Sequence, residues 1–223
     1  MQKTKKKQMM AGCLFLAMFI LWTVLIRTID VRPIGLKGTD IGFAAVNRWF
    51  HNLTGVHMAL YAITDWMGLI PLLVCVVFAG IGLVQLVQRK SLFRVDADLL
   101  ILGAYYAAVI LCYAAFERFP VNYRPVRIDG ALEASYPSST ALLVLAVMPT
   151  LAEQTARRLK KVAINRIIRI LAAAFSAFMV IGRLICGVHW FTDIVGSLLL
   201  CAGLFSVYQA AVMTVCGKEN RGE

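Results

Sequence analysis

A chain of 223 residues that is 60% hydrophobic and 16% charged, with a mean hydropathy of +0.75, is no ordinary soluble domain and reads as one integral membrane domain over residues 1–223. Its net charge of +11 would suit nucleic acid in a soluble protein. Here the basic residues lie mainly between apolar runs, which is a topology signal, so no nucleic-acid partner is expected.

The N-terminus carries Lys3, Lys5, Lys6 and Lys7 ahead of an apolar run over residues 9–26. No small-residue cleavage site follows Ile26, so the run reads as a retained anchor and not a signal peptide. Ala11-Gly12-Cys13 precedes the apolar stretch instead of ending it and is no lipoprotein signal. Residues 27–55 are polar, with Pro33, Gly35 and Gly38, and hold an amphipathic segment over 43–50 that reads as an interfacial helix. His51 and His57 sit beside it in expected structural roles. Asn52-Leu53-Thr54 fits a glycosylation acceptor, a triplet common by chance.

Further spans are expected over residues 67–87, 99–116, 138–151, 170–184 and 190–216, given the ~20 residues that a crossing helix needs. The expected fold is therefore all-α: a polytopic bundle of six transmembrane helices, with the interfacial helix between spans 1 and 2. The six cysteines are scattered and form no CxxC pair, so neither a disulfide nor a metal site is expected. The tail over 217–223 offers no partner motif.

Segments on the N-terminal side of the membrane hold fifteen of the twenty-three lysines and arginines. By the positive-inside rule both termini are cytoplasmic. Residues 117–136, the start of the fourth span and the stretch 183–193 then meet on the outer face.

Three features converge there. Arg124-Pro125 lies in a proline- and glycine-bearing loop. Tyr136-Pro137-Ser138-Ser139-Thr140 opens a helix whose free N–H groups, beside serine hydroxyls, suit an anion. Arg183, His189 and Asp193 stand between the last two spans, where ionisable groups are costly and mark function. His189 and Asp193 are four apart, one helical turn, so a carboxylate can orient an imidazole. Two guanidiniums, a helix N-terminus and a backed histidine together suit a phosphoryl group.

In these residues the sequence resembles the type 2 phosphatidic acid phosphatase (PAP2) superfamily, integral membrane lipid-phosphate phosphatases. That family carries Lys-x6-Arg-Pro, Pro-Ser-Gly-His and Ser-Arg-x5-His-x3-Asp. The chain matches with Arg124-Pro125, Pro137-Ser138 and Arg183-x5-His189-x3-Asp193. The resemblance implies that His189 is the nucleophile and that Asp193 holds its ring. It implies too that Arg124, Arg183, Ser138 and Ser139 bind the phosphate of a lipid substrate such as phosphatidic acid or a prenyl diphosphate. No metal or other cofactor is implied, and the other partners are membrane lipids. The expected location is a bacterial plasma membrane.

Three positions depart from the pattern. Glu117 stands where the family has lysine, Thr140 where it has the general-acid histidine, and Gly182 where it has serine. Arg118, next to Glu117, points about 100° away around a helix. A threonine is too weak an acid to protonate a leaving group, and losing a positioned acid costs ~10²- to 10⁴-fold in rate. Three readings stay open: a phosphatase working without the usual acid, an impaired relative that binds lipid headgroups or acts as a membrane partner, or an unrelated membrane protein such as a transporter whose polar residues only cap helices.

Overall fold

The computed structural model describes residues 2–128 and 130–219, with side chains as far as 215; the end of the tail, residues 220–223, lies outside the described residues. Among the described residues eight α-helices follow in order: α1 Gln2–Thr28, α2 Ala44–Thr54, α3 Met58–Met67, α4 Leu69–Arg89, α5 Ala97–Arg118, α6 Ser139–Arg158, α7 Val162–Ile185 and α8 Phe191–Glu219. Each of the six expected spans coincides with a long helix, and the amphipathic segment is α2. The resulting fold is an all-helical membrane bundle. The sequence reading did not separate α3 from the span that follows it; the break falls at Gly68.

Among the described residues, five helical stretches are long and apolar enough to cross a bilayer: α1, α3 with α4, α5, α7 and α8. The sixth, α6, is more polar because it sits inside the bundle, packed against α4, α5, α7 and α8. Ala141, Leu142, Val144, Ala146 and Val147 are buried along it. Its polar groups find partners in the surrounding helices. Thr150 hydrogen-bonds the Tyr106 hydroxyl at 2.7 Å, Gln154 donates to Tyr208 at 2.8 Å, and Tyr105 donates to the Ala146 carbonyl at 3.2 Å. A helix sheathed by protein needs no lipid-facing stripe, whereas the outer helices expose Leu21 and Val24 on α1, Leu73 and Val76 on α4, and Ile170 and Leu171 on α7.

The first helix is integral to this packing. α1 lies along α8. Near its end Trp22 donates to the Thr192 carbonyl at 3.2 Å, Thr23 meets the Tyr136 hydroxyl at 2.7 Å, and Phe19 stacks on the Tyr136 ring. Between α5 and α6 the chain folds back in a hairpin-like loop, with Tyr123 bridged to Ala134 and Ile128 to Ala131. That loop, α2, α3, the end of α7 and the first turns of α6 and α8 all meet at one end of the bundle.

Candidate active site

The turn between α7 and α8 is built around Gly187, which has φ +73°, and a side chain there would run into the Gly55 carbonyl. The His57 N–H donates to the Cys186 carbonyl at 3.0 Å, so the end of α2 and the start of α3 clamp this turn. His51 lies against Trp190, and Trp190 donates its indole N–H to the Tyr123 carbonyl at 2.8 Å. Both histidines near α2 thus brace the turn and do not enter the site.

The first turn of α8 is fixed by two buried asparagines. Asn47 of α2 donates to Thr192 Oγ1 at 3.1 Å and accepts from the Thr192 N–H at 3.2 Å. Asn122 donates to Asp193 Oδ1 at 3.0 Å, while Asp193 Oδ2 accepts the Trp190 N–H at 2.9 Å. With its oxygens so held, Asp193 is a fully buried, anchored carboxylate.

His189 is buried, and its Nδ1 lies 3.1 Å from the Ser135 carbonyl. A carbonyl can only accept, so Nδ1 carries the proton and Nε2 keeps its lone pair. Asp193 Oδ2 is 3.7 Å from Nδ1, beyond hydrogen-bond reach, and acts on the ring through its charge. Ser135, which the sequence reading did not single out, makes the hydrogen bond expected of Asp193. Burial lowers the His189 pKa from 6.5 to about 4; Asp193 opposes this, and the charges of Arg124 and Arg183 add to it. The ring is therefore neutral at pH 7.

Arg183 is 1% exposed and is gripped by α3. Its guanidinium stands over the Tyr61 ring at 4.7 Å, Nη1 reaches Thr64 Oγ1 at 3.4 Å, and Asp65 Oδ1 lies 3.6 Å away. Arg124 is held by the hairpin loop: its N–H donates to the Glu133 carbonyl at 3.0 Å, and its Nε pairs with the Glu133 carboxylate at 3.0 Å. Both arginines act electrostatically on His189, so the loop and α7 deliver their charges to one place.

Ser138 is the N-cap of α6 and is fully buried, yet its hydroxyl does not cap the helix. Five buried atoms from the three sequence features lack a hydrogen-bond partner among the described residues: Arg124 Nε, which has its ion pair with Glu133, and Arg124 Nη1, Ser138 Oγ, Arg183 Nε and His189 Nε2. Unsatisfied buried polar atoms are few in native proteins, and the four without even an ion pair call for a polar ligand. Ser139 follows at the start of α6, where the first N–H groups have no helical acceptor.

Thr140 is buried in the first turn of α6, near Gly68 at the junction of α3 and α4. Glu117 ends α5 and, with Arg124, Glu133 and Ser139, lines a small cavity. Arg118 turns its guanidinium over Phe119, on the exposed side, and does not replace a lysine. Gly182 packs directly on Thr64, where a Cβ would come within 2.7 Å of its methyl.

Residues 110–215 match the PAP2 superfamily model. Among solved structures, the transmembrane PAP2-type phosphatidylglycerolphosphate phosphatase of Bacillus subtilis superposes with a TM-score of 0.64 over 89% of this chain and 94% of that one, at 16% sequence identity. No curated protein matches the chain. The fold is that of the transmembrane PAP2 phosphatases. The match over residues 110–215 agrees with the resemblance read from the motifs.

Proposed function

We propose that the protein removes, or transfers, the phosphate of a lipid phosphate or prenyl diphosphate at the extracytoplasmic face, through a phosphohistidine at His189. The observation that carries this is the bare, buried Nε2 of His189 beside the unpartnered groups of Arg124, Arg183 and Ser138. The Nε2 lone pair attacks the terminal phosphorus as its bond to the leaving oxygen breaks, which is the lipid alcohol's oxygen in a monoester and the bridging oxygen in a diphosphate. The two guanidiniums and the Ser138 hydroxyl take up charge on the phosphoryl oxygens. As Nε2 becomes cationic, the anchored Asp193 carboxylate stabilises the ring and Ser135 keeps the Nδ1 proton in place. Water then attacks phosphorus, the bond to Nε2 breaks, and inorganic phosphate leaves with His189 neutral again.

The leaving oxygen draws its proton from water, since Thr140 is no acid. A departing phosphate needs less help than an alkoxide, which favours a diphosphate substrate. Thr140 also supports a second reading, in which the pocket binds headgroups without turning them over. Phosphate release by the detergent-purified protein from phosphatidic acid and a prenyl diphosphate separates the two. The enzyme reading expects release that falls at least ~10³-fold in His189→Ala, the scale of losing a nucleophile. Release no greater than that of the variant from either lipid leaves the binding reading.

A further inference from the structure

The turn between α6 and α7, at the end of the bundle away from the site, carries six basic residues and no acidic one over residues 157–169. Arg157 pairs with Glu153 and Arg158 with Asp98. Lys160, Lys161, Arg166 and Arg169 are exposed and have no ion pair among the described residues.

Topology accounts for basic residues in the turn itself, but not for Arg169. It lies inside α7, ~10 Å beyond Val162 at the start of the helix, between Ile167, Ile168, Ile170 and Leu171. An unpaired arginine among apolar neighbours of a membrane span is costly and marks a functional place.

Arg169 also lines a groove of about 560 Å³ between α6, α7 and α8, whose other walls include Pro149, Ala152, Ala172, Ala173 and Phe205. α7 packs on α6 and only lightly on α8, and the small alanine side chains leave the gap open. A water-sized group takes roughly 30 Å³, so this space accepts hydrocarbon chains and not just an ion. The carboxylate in the lining, Glu153, is already held by Arg157 at 2.8 Å and Gln209 at 3.2 Å. The charge of Arg169 is therefore left over.

That charge decides the occupant. Two copies of the chain meeting across the groove would set the basic segment against itself, because a two-fold contact places identical surfaces together. An apolar groove that ends on unpaired cations fits instead a lipid with an anionic headgroup, the chemistry of basic pockets between spans. The groove is separate from the candidate active site, since Arg183 lies ~21 Å further along α7.

We infer that the groove holds one anionic phospholipid of the leaflet opposite the site. Its phosphate sits on Arg169 and Arg166, which are three residues apart on neighbouring turns, and its acyl chains lie against Ala172, Ala173 and Phe205.

The test is native mass spectrometry of the full-length protein in detergent, titrated with phosphatidylserine or with phosphatidylcholine of the same chains. Neither lipid bears a terminal phosphate for His189. Phosphatidylserine binds at least ~10-fold tighter, the scale of two arginines at an anionic lipid. Arg166→Gln with Arg169→Gln removes that preference. Ala173→Trp, which fills the groove from its exposed rim, removes it too. Lys6→Gln with Lys7→Gln takes the same charge from the same end of the molecule and leaves the preference unchanged. Equal affinities in the unaltered protein, a preference that survives Ala173→Trp, or one that the lysine pair weakens as much as the arginine pair overturns the inference.

Discussion

His189 owes its chemistry to what surrounds it more than to its place in a motif. The Ser135 carbonyl fixes the proton on Nδ1, and burial with two nearby guanidiniums disfavours the imidazolium. With the pKa lowered to about 4, the ring stays neutral from pH 7 down to about pH 5, where an ordinary histidine would be protonated. In a ¹³C-imidazole NMR titration of the detergent-solubilised protein, the resonance missing from His189→Ala shifts with a midpoint near pH 4. Arg124→Ala moves that midpoint upward, because it removes a positive charge that opposes protonation. A midpoint at or above 6.5 in the unaltered protein would contradict this account of the ring.

Elements rather than single residues decide which parts of the site were legible in advance. The ordered motifs on the loop, α6, α7 and α8 gave Arg124, Ser138, Arg183, His189 and Asp193, because each lies at fixed spacing within one or two segments. The groups that hold them were not legible. Tyr61, Thr64 and Asp65 come from α3, Asn47 from α2, and Asn122, Glu133 and Ser135 from a loop whose pairing depends on the fold. Likewise, α6 was readable as a span but not as the central helix, since reduced apolarity does not say what surrounds it.

The contact of α3 with α7 gives an element-scale test. Gly182 stands where the family has serine, and the reason is spatial: a Cβ there would meet the Thr64 methyl at 2.7 Å. Gly182→Ser forces α3 away from α7, at about 1–3 kcal/mol for overpacking a close contact. It also loosens the grip of Thr64 and Asp65 on Arg183. Adding Thr64→Ser deletes the methyl while keeping the hydroxyl that Arg183 uses. Thermal unfolding in detergent should therefore rank the double variant above Gly182→Ser alone. If the effects of the two changes simply add, the two helices do not compete for this space.

At the scale of the whole molecule, the distribution of basic residues bears on which side of the membrane the site faces. The site-bearing end holds the hairpin loop, α2 and α3, while the opposite end holds the turns between α4 and α5 and between α6 and α7. That opposite end and the chain termini carry fifteen of the twenty-three basic residues. Of the eight at the site-bearing end, Arg124 and Arg183 are buried in the site and leave fewer to act as topology signals. Placing the richer end outside would set most basic residues against the positive-inside bias. Arg127 and Lys160 are exposed at opposite ends, so single cysteines there report orientation in a background without the native six. In intact cells a membrane-impermeant maleimide labels Arg127→Cys and leaves Lys160→Cys unmodified until the membrane is opened. The reverse pattern would place the site at the cytoplasmic face, and the lipid phosphate proposed as its substrate would then come from the inner leaflet.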